Sequence, residues 1–199
     1  MSEYITIDTE KGMPWKADEK INPIQVYGED YFMLSVPIKE YEGNFPNPAI
    51  VHLAKRMRMT MKLYSGLGLS ANQCGVAERM FVIGVDEFQL TCLNPKLKAQ
   101  SAARIKEKEG CLSFPGLFLN VERPEFIEVE FLTEHGEKKE MKLTGITARC
   151  FLHELDHLDG IKYTSYIKPL ALKMARQKAS KLVKKIIRGH KNEKLAARV

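Results

Sequence analysis

A chain of 199 residues, 44% hydrophobic and 28% charged, buries a sizeable core and is too short for several domains, which leaves one globular domain with room for an appendage. No apolar run approaches the roughly 18 residues of a membrane helix, Met1 to Lys11 lacks an apolar leader core and is too acidic for a transit peptide, and the four cysteines (Cys74, Cys92, Cys111, Cys150) form no C-x-x-C pair, so a cytoplasmic protein with reduced thiols is expected. The net charge of +6 is split: Leu170 to Val199 holds ten Lys/Arg against Glu193 alone and carries +9, which leaves −3 on the remainder.

Ile21 to Pro37 mixes short apolar pairs with Gly28 and Pro37 and reads as an extended segment along a domain edge. Asn47-Pro48, a cap residue followed by proline, opens a core helix with apolar positions Ile50, Ala54, Met57, Met61 and Tyr64, closed by Gly66. Gly66 to Gln73 is either a Gly-rich turn or an edge strand whose alternate glycines let a peptide backbone come close. Met80 to Val85 reads as a buried strand, Gln89 to Leu93 as a second ended by Asn94-Pro95, and Ser101 to Lys108 as a polar loop. Glu109 to Gly116 ends in a Pro-Gly turn. Phe126 to Leu132 alternates at period two, His135-Gly136 turns, and Lys139 to Leu143 returns, which makes a β-hairpin.

The segment after the hairpin reads as a helix: Thr144 or Thr147 can cap it, Ile146, Cys150, Phe151, Leu155 and Leu158 form an apolar stripe, and Gly160 suits the position past its end. It carries His153-Glu154-Leu155-Asp156-His157. Four residues on a helix is about one turn, so both imidazoles reach one metal ion, with Glu154 beside it as a proton acceptor for water. The fold class is α+β: small antiparallel sheets and a hairpin around a central metal-binding helix, with a basic C-terminal helix.

A hydrolytic site of this kind needs a third protein ligand. No Asp or Glu lies between Asp159 and Glu193, and the position six past His157 is Tyr163, so both common metallopeptidase schemes lose theirs. Cys150 shares the helix face but sits about 10.5 Å along the axis from His157, too far for a common ion, and reads as a buried wall. Cys74 and Cys92 read as small buried hydrophobes. Cys111 differs, held between Gly110 and the Pro-Gly turn in a segment with exposed amides.

Three segments resemble the signature motifs of peptide deformylases: Gly66 to Gln73 is similar to G-x-G-x-A-A-x-Q, with Ser70 where the family usually has alanine; Glu109 to Ser113 is E-G-C-L-S; His153 to His157 is H-E-x-D-H. The similarity runs in register from about Pro48 to about Tyr166. It implies Cys111, His153 and His157 as metal ligands, Glu154 as general acid/base, and Gln73 with the Leu112 N–H as donors to the developing oxyanion. It also implies iron(II), with zinc or nickel as substitutes, a methionine pocket of Leu67, Cys150, Phe151 and Phe118, backbone pairing of Gly68 and Gly110 with the substrate, and an Asp156–Arg123 ion pair behind the site. Phe118 stands where some deformylases have an arginine. The reaction implied is removal of formate from N-formylmethionyl nascent peptides by a monomeric enzyme, an amide hydrolysis.

Residues 1–168 then form the catalytic domain and 169–199 a basic amphipathic helix, with Leu172, Ala175, Ala179, Leu182 and Ile186 as its apolar stripe. Its basic face suits ribosomal RNA near the nascent chain, as in the resembled family, or is a solvated face. A deformylase-like fold without activity, serving as an RNA-binding factor, is the reading from another class.

Overall fold

The computed structural model describes residues 22–85 and 88–196, with side chains described to residue 185. The expectations for Met1 to Lys11 and for Ile186 lie outside these. An antiparallel sheet has the order β1 (Gly68–Ser70), β2 (Met80–Val85), β3 (Phe88–Gln100), β6 (Phe126–Leu132), β7 (Lys138–Thr144), while β4 (Arg104–Glu109) and β5 (Leu119–Pro124) pair only with each other. Helix α1 (Pro48–Leu63) packs on β1 and β2, α2 (Gly145–Leu158) lies at the centre, and α3 (Pro169–Ala196) follows.

Asn47 caps α1 as expected, its Oδ1 accepting from the amides of Ala49 (2.9 Å) and Ile50 (3.4 Å). The helix closes one residue earlier than its glycine suggests: Ser65 takes the left-handed conformation (φ 54°), and the Gly66 amide donates to Met61 O at 2.9 Å. Tyr64, expected in the core stripe, therefore stands at the helix end, 54% exposed.

Two expectations for the strands are corrected. β3 does not stop at Asn94-Pro95 but continues through it as a bulge, with Leu93 opposite Leu132 and then Lys96 opposite Glu130. Asn94 turns left-handed (φ 49°) and its side chain accepts from Tyr41 N (2.7 Å) and donates to Tyr41 O (2.8 Å), which substitutes for the ladder bond that Pro95 cannot make. The polar stretch expected as a loop is β4, whose side chains are almost all exposed; backbone pairing with β5, Ile105 opposite Arg123 and Glu107 opposite Val121, holds it without an apolar face.

The β6–β7 hairpin keeps its expected alternation, with Ile127, Val129 and Phe131 facing inward. Against them packs α2, through Cys150, Phe151, Leu155 and Leu158. Thr144 occupies its N-cap but makes no side-chain capping bond, and Thr147 lies inside the first turn. At the other end Gly160 (φ 73°) meets the expectation, and a Cβ there would press on the Val36 backbone. The edge segment runs over this surface, Tyr27 N donating to Gln73 O at 2.8 Å.

Packing crosses residue 168. Leu172, Ala175 and Ala179 of α3 join Phe114, Leu117, Leu119, Val121 and Tyr163 in a separate apolar cluster. The first half of α3 thus belongs to the domain, beneath the segment that carries Cys111. Among the described residues no helix is long and apolar enough to cross a membrane.

Candidate metal centre

The helical spacing brings His153 and His157 onto one face, their rings 4.9 Å apart and nearly perpendicular. Cys111 enters from the turn after β4, where Phe114 N donates to Cys111 O at 3.0 Å. Its Sγ lies 3.2 Å from His157 Nε2, and one donor atom from each of the three residues lies within 4.8 Å of the other two. Burial opposes charge on both rings. At His153 burial lowers the pKa, but the hydrogen bonds the ring donates to Cys111 and Glu109 overcome it and raise the value, whereas at His157 burial and then the charge of His153 lower it. Two imidazoles and a sulfur whose donor atoms converge within 4.8 Å fit a cation held between them. One thiol and two imidazoles select a soft or borderline metal over magnesium or calcium.

Behind His153 stands Glu109, 5% exposed, its Oε2 3.1 Å from His153 Nδ1. That contact leaves Nε2 for the metal side. Arg123 bonds both carboxylate oxygens (2.9 and 3.1 Å) and reaches Asp156 Oδ2 at 2.7 Å, so the expected ion pair forms and is anchored on Glu109. Burial alone would raise the Glu109 pKa, but the bonds from His153 and Arg123 and their charges outweigh it and lower it from 4.5 to about 2. A depressed folded-state pKa stabilises above the unfolded value and is lost as pH falls through the folded one, here from about 4.5 toward 2, and is worth on the order of 3 kcal/mol. Glu109→Gln therefore loses more stability at pH 6 than at pH 3; urea midpoints at both pH values check this, and equal losses would contradict it.

On the other side Glu154 is 3% exposed, with Oε2 buried and without a hydrogen-bond partner among the described residues. Burial pushes its pKa up to about 7, against the charge of His153. Gln73 is fixed by Ser70, whose amide and hydroxyl both donate to Oε1 at 3.0 Å. That sends Nε2 toward Cys111 Sγ (3.4 Å) and Ser113 Oγ (3.0 Å). The serine standing for the usual alanine thus adds a second clamp on the glutamine amide.

These groups floor a cavity of about 810 Å³. Leu67, Gly68, Gln73, Gly110, Cys111, Leu112, Phe118, Cys150, His153 and Glu154 all line it, and His157 completes the ligand cluster from behind. A Cβ on Gly68 would strike Glu154 and Cys150, and one on Gly110 would strike Phe118, so both glycines keep the cavity open. Phe151 does not line the cavity. It is fully buried, edge-on to Phe81 with centroids 4.9 Å apart, and a residue so placed holds about 3–5 kcal/mol of fold stability. One residue, about 100° around the α2 helix, separates Cys150 on the wall from Phe151 in the core, and Ile146, expected in the buried stripe, is on the wall one turn before Cys150, 44% exposed. Glu109, Ser113 and Arg149 went unassigned in the sequence; an arginine between Ala148 and Cys150 in a run of buried helix was the signal available.

Residues 21–173 match the family model of polypeptide deformylases. A peptide deformylase of Aquifex aeolicus is 42% identical over 141 residues, 68% of this chain and 83% of that protein. A Synechococcus elongatus peptide deformylase solved in complex with actinonin superposes with a TM-score of 0.75 at 31% identity, over 83% of this chain and 90% of its own. An Acinetobacter baumannii peptide deformylase with Met-Ala-Ser bound gives 0.72 at 27% identity, over 74% of this chain and all of its own (100%).

Proposed function

The chain belongs to the peptide deformylase family, and we propose that Cys111, His153 and His157 hold the divalent metal of its hydrolytic reaction. It is a hydrolase that removes the N-terminal formyl group from nascent polypeptides and releases formate. The observation that carries the site assignment is the convergence of three separate segments, through Cys111, the His153–His157 pair and Gln73, at the floor of one cavity beside the unpartnered Glu154 Oε2.

A divalent metal held there supplies Lewis acidity, acidifying water and polarising a carbonyl. The residues do the rest. Glu154 accepts the proton of the attacking water and returns it to the leaving amine. Gln73 Nε2, clamped by Ser70, donates with the Leu112 N–H to the oxygen on which charge develops. β1 is the sheet edge, so Gly68 on one wall and Gly110 on the other pair with the peptide backbone. Leu67 and Cys150 take the methionine side chain, while Phe118, expected in that pocket, is 58% exposed at the rim and meets the residues after it.

Iron(II) is the metal assigned: a thiolate with two imidazoles suits iron(II) or zinc, and the resemblance to the family favours iron(II). Protein reconstituted anaerobically with iron(II) then turns over formyl-Met-Ala-Ser faster than the zinc form and loses activity in air. A zinc form as fast as the iron form, or an iron form stable in air, would contradict the assignment.

The enzyme works as a cytoplasmic monomer beside the ribosome, touching ribosomal RNA through α3. The charge split supports the RNA contact, with the remainder at −3 and the tail at +9. Lys178, Lys181 and Lys185 are exposed beside the packed stripe. Changing all of them to glutamine weakens co-sedimentation with ribosomes at low salt and flattens its salt dependence, while turnover of a short formyl-peptide is kept. Unchanged co-sedimentation would sink the docking surface.

A further inference from the structure

Cys111 and the two histidines arrive on elements that share no backbone ladder. Cys111 follows β4, which among the described residues pairs only with β5, whereas His153 and His157 ride on α2. Arg149 stands one turn before His153 on the same helix face and is 4% exposed. Its guanidinium leaves the helix and spreads over the hairpin: Nη2 donates to Ile105 O (2.8 Å), Nη1 to Val121 O (2.9 Å) and Glu109 Oε1 (2.8 Å), and Nε to Glu107 Oε2 (3.2 Å). Arg123 makes the opposite crossing, from β5 to Asp156 on α2. Both arginines meet on Glu109, whose other oxygen touches His153 Nδ1. A guanidinium buried at a cavity wall costs free energy unless its donors are filled, and here one fork fills them on both hairpin strands and on the carboxylate that orients a ligand.

We propose that Arg149 is a positioning residue of the metal centre: it clamps the β4–β5 hairpin to α2 and so sets Cys111 at ligand distance from His153 and His157. The proposal rests on the reading of those three residues as the ligands. Arg149 lines the cavity wall but is not one of the three residues whose donor atoms cluster, so its role is argued through Cys111.

The test uses full-length protein loaded with cobalt(II), whose thiolate charge-transfer and d–d bands report the ligand set. Metal loss to excess chelator is followed well below the unfolding temperature of each apo-protein. Arg149→Leu loses cobalt about 10- to 100-fold faster than the parent, with altered d–d bands. Arg149→Lys, which keeps the charge but cannot span two carbonyls and a carboxylate, recovers part of both. Glu107 is 54% exposed, so Glu107→Gln stays within about twofold of the parent. Parental spectra and loss rates in Arg149→Leu, or a lowered melting temperature with an unchanged spectrum, would overturn the proposal. If Arg149→Leu does not fold, the lysine variant decides by the same readings. Parent protein with no thiolate–cobalt band would overturn the ligand reading itself, and this inference with it.

Discussion

Replacing Glu154 by glutamine lowers the turnover of formyl-peptide by about 10²- to 10⁴-fold while metal content stays at the parental level. Glutamine keeps the volume of a side chain that is 3% exposed, and Glu154 is not among the three residues whose donor atoms cluster. What it removes is a basic oxygen. Oε2 is buried without a partner among the described residues, and burial pushes the carboxyl up to about 7, which suits a group that accepts and returns a proton. Because the ligands stay, KM shifts little and the loss falls on kcat. Kinetics and metal analysis on the same preparation check this. A fully active glutamine variant would take Glu154 out of the mechanism, and a metal-free one would make it a ligand.

Changing Cys111 to alanine has the larger effect on the metal. Loss of one of three protein ligands weakens binding beyond the ~10- to 100-fold of an outer-shell change, and formate release goes with it. The histidines stay in place, because α2 is held by Cys150, Phe151, Leu155 and Leu158, and Glu109 still meets His153 Nδ1. Cys111→Ala therefore keeps its fold and loses stoichiometric metal, as circular dichroism and elemental analysis would show. An alanine variant with full metal and full turnover would exclude the thiolate as a ligand.

The metal helix was legible because its signals agree. The apolar stripe, Gly160 at the end and the histidine spacing all depend on one helical period, and α2 adopts it. Its caps and neighbours were less so. Thr144 sits at the N-cap without a bond, and whether Ile146 or Phe151 faces the cavity depends on how the helix is rotated against the sheet, which periodicity does not encode. Ile146 took the wall and Phe151 the core. β4 was missed because strand patterning reports a buried face, and this strand has none; it exists through its ladder with β5. Cys111 could be singled out by its segment, but its role came from the motif resemblance, since a ligand brought in from another element leaves no spacing to read. Glu109, Arg123 and Arg149 meet only in three dimensions.

The most direct measurement is formate release from formyl-Met-Ala-Ser by anaerobically prepared iron(II) protein, with bound metal counted on the same sample before and after chelation. The account predicts one metal per chain, rapid formate release, loss of both on chelation and return of both on adding iron(II). Stoichiometric metal without formate release would contradict it and leave a metal-stabilised RNA-binding protein in its place.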